Sequence, residues 1–182
     1  MSKRPHSPER CFGRARLLVS DPRSEVPGTP KGRISLRTTE IGGVINRPVE
    51  DVFAVLSDPE NAPKWSLNAI EEKLTSPPPV RVGTTRRALV RSLGGGTTEN
   101  HAVCTAFELN RRLAWKSTSG LVPFSVTVDM TPVDGATRLD STWAFEFHGP
   151  LRLVAPLLQL MFKRAMQRDV ENLKLLMEAG KL

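Results

Sequence analysis

Few residues in this sequence could perform acid–base or metal chemistry. The three histidines, His6, His101 and His148, are widely separated, and no spacing typical of metal ligands, an activated serine or a phosphate loop occurs. We therefore expect neither a metal nor a cofactor. Glu99 and His101 are two residues apart on a predicted strand and share one face. If that face points into an apolar interior, the pKa values of both groups shift and the pair becomes a candidate catalytic acid and base. If it points elsewhere, His101 lies at an edge and performs no chemistry.

A second set of residues could bind a molecule rather than transform it. Aromatic, aliphatic and hydroxyl side chains recur on one face of three predicted strands and on the C-terminal helix. Such a set either packs as an ordinary core or lines an apolar pocket, and the pattern alone is compatible with both. A serine hydroxyl in an apolar space needs a hydrogen-bond partner, which a ligand or an ordered water would supply. The candidate ligand-binding residues are Trp115, Ser117, Phe124, Val126, Ser141, Trp143, Phe145, Leu158 and Phe162.

The last thirty residues are predicted to form the long helix that positions these groups. Met166, Val170, Leu173 and Met177 recur at helical spacing, which gives the second half of this segment one buried face. The first half, residues 151–162, is apolar on nearly every side, so we expect it to be enclosed on more than one side. The apolar run is too short and too interrupted by polar residues to span a bilayer.

The preceding sequence predicts a mostly antiparallel sheet. Alternating apolar and polar residues recur about every ten residues, with turn residues between the runs. A first strand is followed by two short helices, one starting near Pro48 and one around Trp65. Such a sheet must cover its apolar face, and the C-terminal helix is the long apolar element available. We therefore predict an α+β fold in which a curled sheet of about seven strands wraps around that helix. The predicted strands are residues 34–45, 68–75, 84–92, 98–108, 113–119, 124–130 and 137–148.

Charge and composition separate a tail from a domain. Residues 1–33 hold eight basic and three acidic residues, a net charge of +5 out of +7 for the whole chain. Prolines are frequent there, so we predict a disordered basic tail over residues 1–32 and one domain over residues 33–182. Because little positive charge remains in the domain, it offers no basic groove for specific nucleic-acid binding. Two cysteines give no disulfide framework, and no signal-peptide pattern occurs, so we expect a cytoplasmic protein.

Several motifs together point to a known family. They are Pro48–Phe53, Leu56–Glu60, Trp65, Gly83, Phe107–Trp115, Gly149-Pro150, Arg168-Asp169 and Glu171–Lys174. With these motifs the sequence resembles the helix-grip superfamily of START domains, plant pathogenesis-related proteins and polyketide cyclases, and it is most similar to the bacterial polyketide cyclase/dehydrase-like branch. The resemblance covers about residues 36–180 and implies the helix-grip fold with a tunnel between sheet and long helix, where members bind or transform apolar small molecules.

Three functions remain open from the sequence. The first is a module that binds an apolar or amphipathic small molecule, lipid-like or polyketide-like, in a cavity between sheet and helix. The second is an enzyme of the cyclase/dehydrase type that uses Glu99 and His101 to move protons. The third is a protein-interaction domain whose cavity is vestigial and whose basic tail docks on a partner. Fold alone does not choose among these functions, and the oligomeric state stays open.

Overall fold

One antiparallel sheet dominates the computed structural model, which describes residues 35–92 and 95–182. Its strands are β1 (Ser35–Ile45), β2 (Ala69–Leu74), β3 (Thr85–Arg91), β4 (Thr97–Glu108), β5 (Arg112–Ser119), β6 (Phe124–Val133) and β7 (Ala136–Phe147). The spatial order is β1-β7-β6-β5-β4-β3-β2, and every neighbouring pair is antiparallel. The prediction of a seven-stranded antiparallel sheet is confirmed. The predicted disordered tail, residues 1–32, lies outside the described residues.

Two short helices connect β1 to β2, as the sequence predicts. Helix α1 (Val49–Ser57) begins after Pro48, whose fixed φ suits a helix start, and carries two acidic residues in its first turn. Its apolar stripe, which includes Val52 and Phe53, is buried. A 3₁₀ turn (Pro59–Asn61) leads into helix α2 (Ala62–Trp65), and the Asp58 carboxylate accepts a hydrogen bond from the Glu60 amide at 3.0 Å.

The long helix α3 (Ala155–Glu178) lies against the inner face of the sheet, after a 3₁₀ turn (Gly149–Leu153). Its second half buries Leu173 and Met177, in agreement with the predicted apolar stripe. The expectation that its first half is enclosed on more than one side is wrong. Ala155 is buried, but Leu157 and Leu160 are exposed. The reason is that the sheet supplies one packing layer, and no other described element covers the outer side of the helix.

Polar contacts fix α3 to the rest of the domain along its length. Near its start, Gln159 donates from Nε2 to the Thr38 carbonyl of β1 at 2.7 Å. In the middle, Asn172 donates to the Trp65 carbonyl at 2.7 Å. At its end, the Glu178 carboxylate accepts from the Asn46 amide at 2.8 Å. The helix is therefore held in one position over the sheet, and this fixes the space between them.

Candidate ligand-binding cavity

A cavity of about 480 Å³ lies between the concave face of the sheet and α3. Its wall is built by inward residues of the strands, since alternate side chains of a strand point to the same face. Eight of the nine predicted ligand-binding residues line it: Trp115, Phe124, Val126, Ser141, Trp143, Phe145, Leu158 and Phe162. Trp65 of α2, which is not among the predicted residues, lines it as well.

The aromatic residues form a continuous group at one end of the cavity. The Trp143 ring lies 5.6 Å from the Phe124 ring and 5.9 Å from the Phe145 ring, measured between centroids. Phe162 of α3 stacks on Phe145 at 4.9 Å and on Phe147 at 6.5 Å, so helix and sheet meet there through three rings. These separations are those of favourable aromatic pairs. The group therefore joins the helix to the sheet, and four of its members, Phe124, Trp143, Phe145 and Phe162, line the cavity.

The two predicted serines differ from expectation. Ser117 does not line the cavity, and its hydroxyl accepts a hydrogen bond from the Phe124 amide at 2.8 Å. Ser141 lines the cavity but donates its hydroxyl proton to the Ile41 carbonyl at 3.2 Å. The expectation that these hydroxyls need a ligand or a water is therefore wrong. Backbone groups of β6 and of β1 already supply their partners.

Glu99 and His101 lie on the outer face of β4, away from the cavity. Glu99 is exposed and His101 is half-buried. His101 Nε2 lies 2.9 Å from Glu99 Oε1, and Arg87 donates to Glu99 at 3.1 Å. The hydrogen bond from His101, followed by that from Arg87, holds the pKa of Glu99 below its usual range. The alternative in which this pair enters an apolar interior does not hold.

Two register shifts separate β4 from regular pairing with β5. The first, between His101 and Ala102, places the extra residue on β5, because their partners Ser119 and Ser117 are two residues apart. The second, between Cys104 and Ala106, places the extra residue on β4, because their partners Trp115 and Ala114 are adjacent. A bulge exchanges the faces of the residues beyond it on the strand that holds the extra residue. Phe107 therefore packs inward on Phe53, with centroids 5.3 Å apart, although simple alternation assigns it to the face of His101.

A buried ion pair in the cavity wall is the main feature that the sequence interpretation missed. Arg86 of β3 and Glu72 of β2 are in contact, and their side chains are only 13% and 10% exposed. Burial raises the pKa of Glu72, while the nearby guanidinium opposes that shift. The Arg86 guanidinium carbon also lies 4.6 Å from the centre of the Trp115 ring, a cation–π contact. This pair is the strongest charged feature of the wall.

A sequence signal for this pair exists. Glu71-Glu72 and Arg86-Arg87 are adjacent doublets on paired strands, and each doublet sends one residue to each face. The outer members, Glu71 and Arg87, form a partly exposed ion pair. The inner members then meet inside the cavity. If the predicted strands 68–75 and 84–92 are paired with each other, the two doublets predict both ion pairs.

A second polar group of the wall lies where α3 faces the segment after α2. The Asp169 carboxylate accepts hydrogen bonds from the Ser66 hydroxyl and the Leu67 amide, both at 2.8 Å. Burial raises the pKa of Asp169, and these two hydrogen bonds oppose the shift. Trp65 Nε1 is buried and has no hydrogen-bond partner among the described residues. Donors and carboxylates therefore border an otherwise apolar space.

Other site types find no support in the part of the chain that the structure describes. Over residues 35–92 and 95–182 there is no group of three or more His, Cys, Asp or Glu side chains that could hold a metal ion. No helix among these residues is long and apolar enough to cross a membrane.

Known proteins with a similar sequence or fold were found by comparison. The uncharacterized protein Rv2574 of Mycobacterium tuberculosis is 28% identical over 156 residues, which is 80% of this chain and 91% of that protein. The crystal structure of TTHA0849 from Thermus thermophilus has 17% identity and a TM-score of 0.69, covering 80% of this chain and all of that one. The Zhui aromatase/cyclase of Streptomyces has 15% identity and a TM-score of 0.66, with 77% and 92% covered. At these identities the two structures establish the fold.

The family assignment rests on a match over most of the described domain. Residues 35–178 match the sequence profile of one family, and this range runs from the start of β1 to the end of α3. The predicted resemblance is confirmed: the chain belongs to the polyketide cyclase/dehydrase and lipid transport family.

Proposed function

We propose that this domain binds an apolar or amphipathic small molecule in the cavity between the sheet and α3. The observation that carries the proposal is the wall itself: about 480 Å³ of space bordered by three tryptophans, Trp65, Trp115 and Trp143, and by many aliphatic side chains. Small-molecule sites are concave, mostly apolar and about 300–1,000 Å³ in volume. The family to which the chain belongs includes lipid transport in its name, which agrees with this function.

The polar part of the wall narrows the class of ligand. Glu72 and Arg86 neutralise each other, and Asp169 adds a second carboxylate close to the cavity. Asp58 and Arg91 line the cavity as well, so its described lining holds three carboxylates and two guanidinium groups. A ligand with a negative charge would meet this excess of carboxylates in a medium of low dielectric constant, which is unfavourable. An uncharged polar group such as a hydroxyl or a carbonyl meets no such penalty. The ligand we propose therefore has an apolar body and an uncharged polar end.

The test is to detect a bound molecule and to measure the binding of an apolar fluorophore to the emptied protein. Native mass spectrometry of the protein purified from its producing cells should show an added mass, and an environment-sensitive apolar fluorophore should bind the emptied protein. Trp143→Ala should weaken fluorophore binding about tenfold or more, because it removes a large part of the apolar wall. His101→Ala is the matched control, since His101 lies outside the cavity, and should bind as the wild type does. A wild type that binds neither a cell-derived molecule nor the fluorophore would favour the interaction domain with a vestigial cavity.

A second candidate function is an enzyme of the cyclase/dehydrase type. The observation that favours it is Glu72, a carboxyl group in the cavity wall whose pKa is raised by burial. Such a group could take a proton from a carbon between two carbonyls and return it to a carbonyl oxygen. Arg86 would stabilise the enolate charge in between. Glu72 and Arg86 replace Glu99 and His101 as the residues that would act.

The two functions differ in the effect of one conservative substitution. In the enzyme, Glu72→Gln abolishes turnover of a poly-ketone analogue while changing its affinity little, because an acid–base group contributes mainly to the transition state. In the binding module no turnover occurs, and Glu72→Gln changes affinity alone. Glu71→Gln, on the outer face of the same strand, is the control for either case.

A further inference from the structure

The outer side of α3 near its start carries a group of exposed apolar residues that no described element covers. Leu153 is 80% exposed and Leu157 59%, whereas most residues of this kind are buried in a folded domain. Leu121, in the turn between β5 and β6, is 73% exposed. We name this group the apolar patch, and its members are Leu121, Leu153, Val154, Leu157, Leu160 and Met161.

The apolar patch adjoins one end of the cavity. Leu121 lines the cavity although most of its surface is exposed, so the cavity reaches the protein surface there. Leu151 and Leu158, the neighbours of Leu153 and Leu157 in the chain, line the cavity as well and pack with Val122 on the Phe145 cluster. The turn after β5 and the start of α3 therefore form one edge of the opening.

Positive charge surrounds this patch. From Gly149 to Arg168 the chain has four basic residues, Arg152, Lys163, Arg164 and Arg168, and no acidic residue. Lys163 and Arg164 are exposed and lie within one turn of Leu160 and Met161. Glu40 of β1 borders the same shallow depression as Lys163, so one acid is close to this face.

We propose that the apolar patch and its basic border dock on a membrane surface that contains anionic lipids. Such a surface offers both an apolar layer for the leucines and negative headgroups for the cations, the combination that interfacial helices recognise. A second copy of the chain is a poorer partner, because pairing two such faces brings like charges together. Docking of this kind depends on the surface alone, whatever the cavity contains. Docking would place the open end of the cavity against the lipid.

The test is a vesicle flotation assay on the full chain. Wild type should float with phosphatidylcholine vesicles that contain phosphatidylglycerol and much less with phosphatidylcholine alone. Leu153→Ser with Leu157→Ser should lower the partition coefficient about tenfold or more, because two exposed leucines no longer enter the lipid. Lys163→Glu with Arg164→Glu should lower it by a similar factor on the anionic vesicles and remove most of its salt dependence.

Leu109→Ser is the matched control. Leu109 is 74% exposed, but it follows β4, whereas Leu121 follows the antiparallel β5, so the two lie at opposite ends of the sheet. This variant should float as the wild type does. Because the replaced residues are exposed, all variants should keep the wild-type melting temperature. If the variant with both leucine substitutions does not fold, the variant with Lys163→Glu and Arg164→Glu still tests the proposal.

Three results would overturn the proposal. The first is a wild type that does not float. The second is flotation of the leucine and charge variants equal to that of the wild type, which would assign the binding to the basic N-terminal segment. The third is a wild-type dimer in sedimentation that Leu153→Ser with Leu157→Ser converts to a monomer, while flotation is unchanged. The apolar patch would then be an interface between copies of the chain.

Discussion

Removal of Arg86 alone should strongly destabilise the domain, whereas removal of Arg86 together with Glu72 should not. Both side chains are nearly buried, so Arg86→Leu leaves a carboxylate in the cavity wall without its cation. Breaking a buried ion pair in this way costs about 3–5 kcal/mol in the free energy of unfolding, while replacing both partners by apolar residues is often neutral or stabilising. We therefore expect Arg86→Leu to cost about 3–5 kcal/mol near neutral pH and the double variant with Glu72→Leu to cost much less.

The same substitution should have a characteristic pH dependence. Burial raises the pKa of Glu72 already in the wild type, and loss of the guanidinium removes the main opposing influence, so the pKa rises further. A carboxyl group whose pKa is raised by folding contributes stability below its unfolded pKa and loses it as pH rises through its folded pKa. The deficit of Arg86→Leu should therefore be largest near neutral pH and shrink on acidification, as Glu72 takes up a proton.

Urea unfolding followed by tryptophan fluorescence measures both effects. Arg87→Leu is the control, since Arg87 lies next to Arg86 but faces outward, and a largely solvated ion pair contributes about 1 kcal/mol or less. The reasoning is refuted if Arg86→Leu and the double variant are equally stable near neutral pH. It is also refuted if the deficit of Arg86→Leu does not change on acidification.

Three further predictions concern stability. Leu173→Ala should cost about 2–5 kcal/mol through lost burial and a cavity, while the exposed Lys174→Ala should cost little; equal losses in urea unfolding would contradict the assigned helix face. Asp169→Asn should be at least as stable as the wild type near neutral pH and lose that advantage in acid, because burial raises the pKa of Asp169 and the protonated wild type then regains stability; parallel pH profiles would count against this. Gly120→Ala should lower the free energy of unfolding by about 1–3 kcal/mol and the melting temperature with it, because Gly120 has φ +130° and an added Cβ would overlap Asn100 Oδ1. An unchanged melting temperature would show that the turn adapts.

Strand alternation predicted most of the cavity wall because burial repeats every second residue. Trp115, Val126 and Trp143 lie on β5, β6 and β7, and the pairing of β6 with each of its two neighbours is regular. Their inward direction therefore follows from their position in the sequence. The same rule failed on β4, where a bulge between Cys104 and Ala106 exchanges the faces, so that Phe107 points inward although His101, at the same alternation, points outward. A bulge is defined by pairing between two strands, and one sequence carries little sign of it.

Burial of α3 was predictable only where the helix has a single apolar stripe. Leu173 and Met177 belong to such a stripe and are buried. The first half is apolar all round, and from the sequence this predicts enclosure, although the sheet covers only one side. The number of layers around a helix depends on the tertiary fold and not on the helix itself. The exposed Leu153 and Leu157 are therefore a result of the structure, and they carry the proposal of a docking surface.

The most direct test of the central claim is to fill the cavity from the helix side. Ala165 lines the cavity, whereas Ala155 of the same helix is fully buried in packed core and does not line it. If the space is a ligand site, Ala165→Phe should keep or raise the melting temperature and reduce fluorophore binding about tenfold or more, because the new ring takes the place of the ligand. Ala155→Phe should instead cost about 1–3 kcal/mol by overpacking. If Ala165→Phe destabilises the domain as much as Ala155→Phe and leaves fluorophore binding unchanged, the cavity does not hold the ligand.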